Sequence, residues 1–132
     1  MFHDPQVNFY VADIDASVRF YRDLSGFREI FRTPSTGAPI HVEMRVDQGQ
    51  LTLGLAAIET ARQLHGLPAG SGPPRAEVVV WTDDVDRAYA AVTAKGARAL
   101  SAPHDFIGTL RAAWVADPDG NPIQIVSRVA AS

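Results

Sequence analysis

Short apolar runs of strand-forming residues alternate along the chain with two stretches in which apolar side chains recur every three or four positions. "QVNFYV", residues 6–11, predicts a strand from its β-branched and aromatic content. "DIDASVRFYRDLSGF" follows, with Ile14, Val18, Tyr21 and Leu24 at helical spacing, Asp13 or Asp15 available as a cap, and Gly26 as a stop. "REIFRT", "HVEMRVD" and "QLTLGLAA" then read as three strands, the last two joined through Asp47-Gln48-Gly49. The same order returns further along. "EVVVWT", residues 77–82, predicts a strand, and "DDVDRAYAAVTAKGA" predicts a helix with Val85, Tyr89 and Val92 on its apolar side and Gly96 near its end. "RALSAPHDFI", "LRAAWVAD" and "PIQIVSR" supply three more strands.

Superposing Ile14 on Val85 sets the two copies 71 residues apart, and the helix length, the glycine after the helix and the closing hairpin all recur in register. The second closing hairpin turns through Asp117-Pro118-Asp119-Gly120-Asn121-Pro122, a run dense in turn formers. The predicted fold is therefore α+β: two tandem βαβββ modules forming a curved eight-stranded mixed sheet around a cleft. Helices are expected near residues 14–25 and 84–95. The first module covers about residues 5–57 and the second about 76–129. Between them, residues 58–75 form a linker whose early part can make a short helix and whose Leu67–Pro74 stretch is rich in Gly and Pro.

Composition narrows the function classes. An apolar fraction of 46% over 132 residues fits one globular domain, or two small modules sharing a core. The net charge of −3 gives no electrostatic reason for nucleic acid or an anionic membrane as partner. The absence of cysteine removes disulfides, thiolate metal sites and a cysteine nucleophile. No apolar run approaches the roughly 20 residues that cross a bilayer, and no signal-peptide pattern opens the chain, so a cytoplasmic protein is expected. The four histidines, His3, His41, His65 and His104, lack the i, i+4 spacing of a helical metal pair. His41 and Glu43 share a strand face and read as a surface or interface pair. His104-Asp105 reads as a loop-like stretch past which a substrate can run, without an identified nucleophile or water for it to activate.

Two segments carry a resemblance, "VADIDASVRFYRDLSGF" at residues 11–27 and "DPDGNPIQIVSR" at residues 117–128. They are similar to the strand-to-helix entry and the closing hairpin of the vicinal oxygen chelate superfamily, which includes glyoxalase I, bleomycin-resistance proteins and extradiol dioxygenases. In metal-dependent members of that superfamily the ligands come from the first and fourth strands of each module. The resemblance places those positions at Gln6, at Thr52 or Gly54, at Glu77 and at Gln124. One carboxylate, two neutral amides and a Thr or Gly make a poor donor set for a divalent metal. No metal or other cofactor is therefore expected, the alternative being a divalent metal on Gln6, Glu77 and Gln124.

If Gln6 and Glu77 face the cleft, period-two alternation adds Asn8, Tyr10, Val79 and Trp81 to that face, and sends Val7, Phe9, Val11, Val78 and Val80 under the helices. Trp114 is a further candidate pocket wall whose indole N–H needs a partner if buried, while Arg111, on the other face of that strand, is expected to be solvated. The candidate ligand-binding residues are thus Gln6, Asn8, Tyr10, Glu77, Trp81, Trp114 and Gln124. Glu77 is the one weak candidate for a catalytic group. Two functions follow from the resemblance. One is a metal-free protein that sequesters a planar or aromatic small molecule. The other is a metal-dependent lyase, isomerase or dioxygenase. Exposed sheet edges and the habit of single-domain members of the superfamily imply a homodimer.

Overall fold

Caps and apolar stripes define the two long helices. The computed structural model of the chain describes Met1 and residues 6–70, 72–74, 76–106 and 108–129. His3, the expected start of the first module at residue 5, and linker residues 71 and 75 lie outside the described residues. Helix α1 (Ile14–Ser25) follows strand β1 (Val7–Val11) and is capped by Asp13, whose carboxylate accepts from the Ala16 N–H; it ends at Gly26 in the left-handed conformation. Strands β2 (Arg28–Thr33), β3 (His41–Arg45) and β4 (Leu53–Ala57) complete the first module, and a short helix α2 (Ile58–His65) packs against β4 and β1. The second module repeats the order with β5 (Val78–Trp81), α3 (Val85–Ala94), β6 (Arg98–Phe106), β7 (Leu110–Ala116) and β8 (Pro122–Arg128). Asp84 caps α3 by accepting from the Arg87 N–H, in the place of Asp13 one repeat earlier.

The chain divides into two compact units, Met1–Gly72 and Pro73–Ser132. The eight strands form two four-stranded mixed sheets, one per unit, with orders β1-β4-β3-β2 and β5-β8-β7-β6. The reason is chain direction. Three strands meander antiparallel after each helix, and the odd number returns the last one alongside the first, parallel to it. In the first unit Phe9, Val11, Val42, Met44, Leu53 and Leu55 are buried on one face, with Ile14, Val18 and Tyr21 of α1. Tyr21 stands edge-on to both Phe20 and Phe27, with ring centroids 5.2 and 5.7 Å away. The second unit buries Val78, Ile123, Ile125, Ala113 and Val115 with Val85 and Val92 of α3. Val7 and Val80 depart from the expected core. Val7, the first residue of β1, is 48% exposed, and Val80 is half-buried.

Arg111 corrects a second expectation. Rather than pointing into solvent, its guanidinium forks onto Asp86 of α3, at 2.7 and 2.8 Å, and reaches Asp105 of β6 at 3.0 Å. The face of β7 opposite Trp114 lies under α3, so a long cation there meets the acidic first turn of the helix instead of water. Arg32 does the same for the first unit, bonding Glu29 at 2.7 Å and Asp15 at 3.1 Å. Asp15 and Asp86 occupy equivalent places in the repeat, one residue into each helix. The Asp86 carboxyl is held below its ordinary range chiefly by hydrogen bonds from Arg111, aided by that residue's positive charge and opposed by partial desolvation.

The acidic turn before β8 is built on one side chain. Asp117 is 4% exposed, and its carboxylate accepts from the backbone N–H of Asp119 (3.0 Å), the backbone N–H of Asn121 (2.7 Å) and the Asn121 side-chain amide (2.9 Å). Its carbonyl accepts from Gly120, which takes the positive φ of 87° that the tight return demands.

Asp117→Ala removes three hydrogen bonds from a buried carboxylate, each contributing about 1 kcal/mol net, and should lower unfolding free energy in urea by about 3 kcal/mol. Asp86→Asn should melt below wild type at neutral pH. Because the folded carboxyl sits below its unfolded value, the wild-type advantage is full above the unfolded range and disappears as pH falls through the lowered folded value.

Candidate functional site

On the sheet face away from α1, the first unit carries polar and aromatic side chains in rows set by strand register. Asn8 of β1 lies opposite Gly54 of β4, which lies opposite Glu43 of β3, which lies opposite Phe31 of β2. The next row runs Tyr10, Ala56, His41, Thr33. Gln6 joins the rows by donating from its side-chain amide to Asn8 Oδ1 at 2.8 Å and, more weakly, to Glu43 Oε2 at 3.5 Å. The same Glu43 oxygen lies 3.1 Å from Nε2 of the half-buried His41, whose ring stands 6.4 Å from Phe31. The expected grouping of Gln6, Asn8 and Tyr10 on one face holds, with Tyr10 42% exposed.

Gly54 is what lets the amides lie down. A Cβ built on this buried glycine would run into Oδ1 of Asn8 and come within 3.0 Å of the Gln6 amide nitrogen. The register also resolves the choice between Thr52 and Gly54. Val79 pairs with Gln124 in the second unit as Asn8 pairs with Gly54 in the first, so Gly54 is the counterpart of Gln124. The Thr52 hydroxyl is buried and accepts from Arg45 Nε at 2.8 Å.

The second unit presents its own row, Val79, Gln124, Trp114, Ser101, across β5, β8, β7 and β6. Trp114 finds the partner that its indole N–H needs: it donates to Glu77 Oε2 at 2.8 Å. His104 stacks on the same indole, with centroids 5.8 Å apart and planes 23° from parallel. His104 therefore belongs to strand β6 and not to a loop, and Asp105 beside it is taken by Arg111. The long β6–β7 pairing, registered His104 to Ala112, carries the strand through "SAPHDF". Trp81 is 57% exposed, and the guanidinium carbon of Arg128 lies 5.0 Å from its ring centroid. Sequence reasoning missed Arg128, although it sits four residues after Gln124 on one strand and so on the same face. It also left His41 and Glu43 outside the candidate site, since only the register across β4 shows that they share the face of Gln6 and Asn8.

The first- and fourth-strand positions hold Gln6, Gly54, Glu77 and Gln124. A glycine supplies no side-chain donor, the amides are weak ligands, and the one carboxylate is engaged by an indole N–H. This set does not fit a catalytic transition metal. Among the described residues no three His, Asp or Glu side chains come together as an ion site. Among them, too, no helix is long and apolar enough to cross a membrane.

Replacing Gly54 with Ala should leave the melting temperature nearly unchanged, because the colliding group is the end of a flexible side chain. It should shift the side-chain amide resonances of Asn8 and Gln6, and Asn8→Ala should be non-additive with it in a double-mutant cycle, both sites sharing one space.

The family model of the Glyoxalase/Bleomycin resistance protein/Dioxygenase superfamily matches residues 5–125. Solved structures share the fold. A hypothetical protein, SA1046 from S. aureus, superposes with a TM-score of 0.79 at 22% identity, covering 96% of this chain and 95% of its own. A glyoxalase/bleomycin resistance protein/dioxygenase family enzyme from Burkholderia phytofirmans PsJN gives 0.77 at 27% identity, over 96% and 100%. TnmS3, an antibiotic binding protein from Streptomyces sp. CB03234, gives 0.72 at 22% identity, over 98% of each chain. No curated protein matches the chain by sequence.

Proposed function

The chain belongs to the glyoxalase/bleomycin resistance protein/dioxygenase superfamily, and from that premise we propose that it binds a planar, partly aromatic small molecule without a metal. One observation carries the reading: of the four positions where metal-dependent relatives place ligands, the described register leaves one occupied by a glycine and two by amides. What remains is a recognition surface on each unit. In the first, the amides of Gln6 and Asn8 offer neutral donors and acceptors; in the second, Gln124 offers the same and Glu77 an acceptor already shared with Trp114. Tyr10 and Trp81 offer exposed ring faces, one side of Trp81 being covered by Arg128. Apolar walls with a few placed polar groups are the usual make-up of small-molecule sites. The shared fold of TnmS3, an antibiotic binding protein, supports a small-molecule ligand. We place the protein in the cytoplasm as a homodimer, with neither nucleic acid nor membrane as partner, in keeping with its net charge of −3.

Trp81→Ala should weaken binding of a planar aromatic ligand about tenfold or more, since loss of stacking adds to loss of buried area. Isothermal titration before and after chelator treatment should return the same affinity. Stoichiometric zinc, nickel or iron in the purified protein, with an activity abolished by chelation and restored by metal, would replace this reading with the metal-dependent enzyme.

A further inference from the structure

We infer that His41 Nδ1 is a hydrogen-bond acceptor built for a hydroxyl on the bound ligand, and that Glu43 is the residue that makes it one. The inference rests on the planar-ligand reading and adds the chemical class: an aromatic alcohol, a phenol or naphthol. An ionised carboxylate only accepts hydrogen bonds, so the 3.1 Å contact between His41 Nε2 and Glu43 Oε2 places the proton of the neutral imidazole on Nε2. Nδ1 is then left with its lone pair. Which nitrogen carries the proton is fixed by the bond that the other one makes. Here the fixing group is itself held, since Gln6 donates to the same Glu43 oxygen.

His41 and Tyr10 lie in one row, separated by Ala56, whose methyl is the whole side chain between them. β1 and β3 flank β4, so their backbones stand roughly 10 Å apart, twice the strand spacing. One row away the corresponding gap over Gly54 is filled by the Asn8 side chain, but over Ala56 the floor is a single methyl group. Tyr10 is exposed, and His41 and Ala56 are half-buried, so this row reaches solvent on the face that carries Gln6 and Asn8. Phe31, 48% exposed and 6.4 Å from the His41 ring, adds an apolar edge on the far side. A flat ring seated against Tyr10 would bring a hydroxyl on its rim to His41.

The test uses the intact protein with 2-naphthol and 2-methoxynaphthalene, two rings of one shape that differ in the hydroxyl proton. Fluorescence titration should show naphthol binding about fivefold more tightly, the ratio expected for one net hydrogen bond. His41→Phe should abolish that preference, and Glu43→Gln should reduce it. Independently of either probe, nitrogen-15 NMR of the free protein should show His41 protonated at Nε2 and not at Nδ1. Equal binding of the two probes to wild type, a preference that survives His41→Phe, or an Nδ1-protonated ring would overturn the inference and leave planar-ligand binding standing. Binding of neither probe would remove the planar-ligand reading and this inference with it.

Discussion

The parallel pairing of each module's first strand with its last is the constraint on which the rest of the structure depends. It is made by β1 with β4 and by β5 with β8, and it places the last strand inside the sheet rather than at its edge. A helix then covers one face only. Leu53 and Leu55 go under α1 and Ile123 and Ile125 under α3, leaving the intervening positions, Gly54 and Gln124, at the middle of the opposite face. What occupies those two positions decides the chemistry each face can support. In this chain one has no side chain and the other has a neutral amide.

Loss of a side chain at Gly54 has consequences beyond the missing donor. The space above Gly54 is filled by Asn8, Asn8 is tethered by Gln6, and Gln6 touches Glu43, so three side chains around Gly54 form one hydrogen-bonded patch. Such a patch is oriented by mutual bonding, and its amides keep donors and acceptors to spare. The second unit settles its polar groups differently, by direct pairing of Glu77 with an indole and stacking of that indole on a histidine. The two histidines on these faces also have different partners. His41 Nε2 lies 3.1 Å from a Glu43 carboxylate oxygen, whereas His104 Nδ1 lies 2.8 Å from the Ala102 carbonyl.

Charge on the helix side is handled by one device used twice. Asp15 and Asp86 sit in the first turns of α1 and α3, where the helix dipole favours an anion, and each receives an arginine from its own sheet. The arginines come from non-equivalent strands, Arg32 from β2 and Arg111 from β7. The acid therefore keeps its place in the repeat while its partner does not. Both arginines are partly exposed, so these pairs orient helix against sheet more than they stabilise the fold.

The amino-acid sequence by itself determined the secondary structure, the repeat and most of the core. The 3.6-residue and two-residue periods are local properties, and caps such as Asp13 and turn residues such as Gly120 act within a few positions of themselves. For the same reason Gln6, Asn8 and Tyr10 were legible as one face, and the closing turn as a hairpin. Tertiary structure alone decided register. The hydrogen-bond ladder is the same for every residue, so nothing local distinguishes Thr52 from Gly54 as the partner of Asn8, and the turn before β4 differs in length from the one before β8. Every pairing that builds the candidate site depends on register or on a reach between strands: His41 and Glu43 with Gln6, Trp114 with Glu77, and Arg128 over Trp81. These contacts join residues that are adjacent only once the strands have paired, which is why sequence could propose some of these side chains but not their partners.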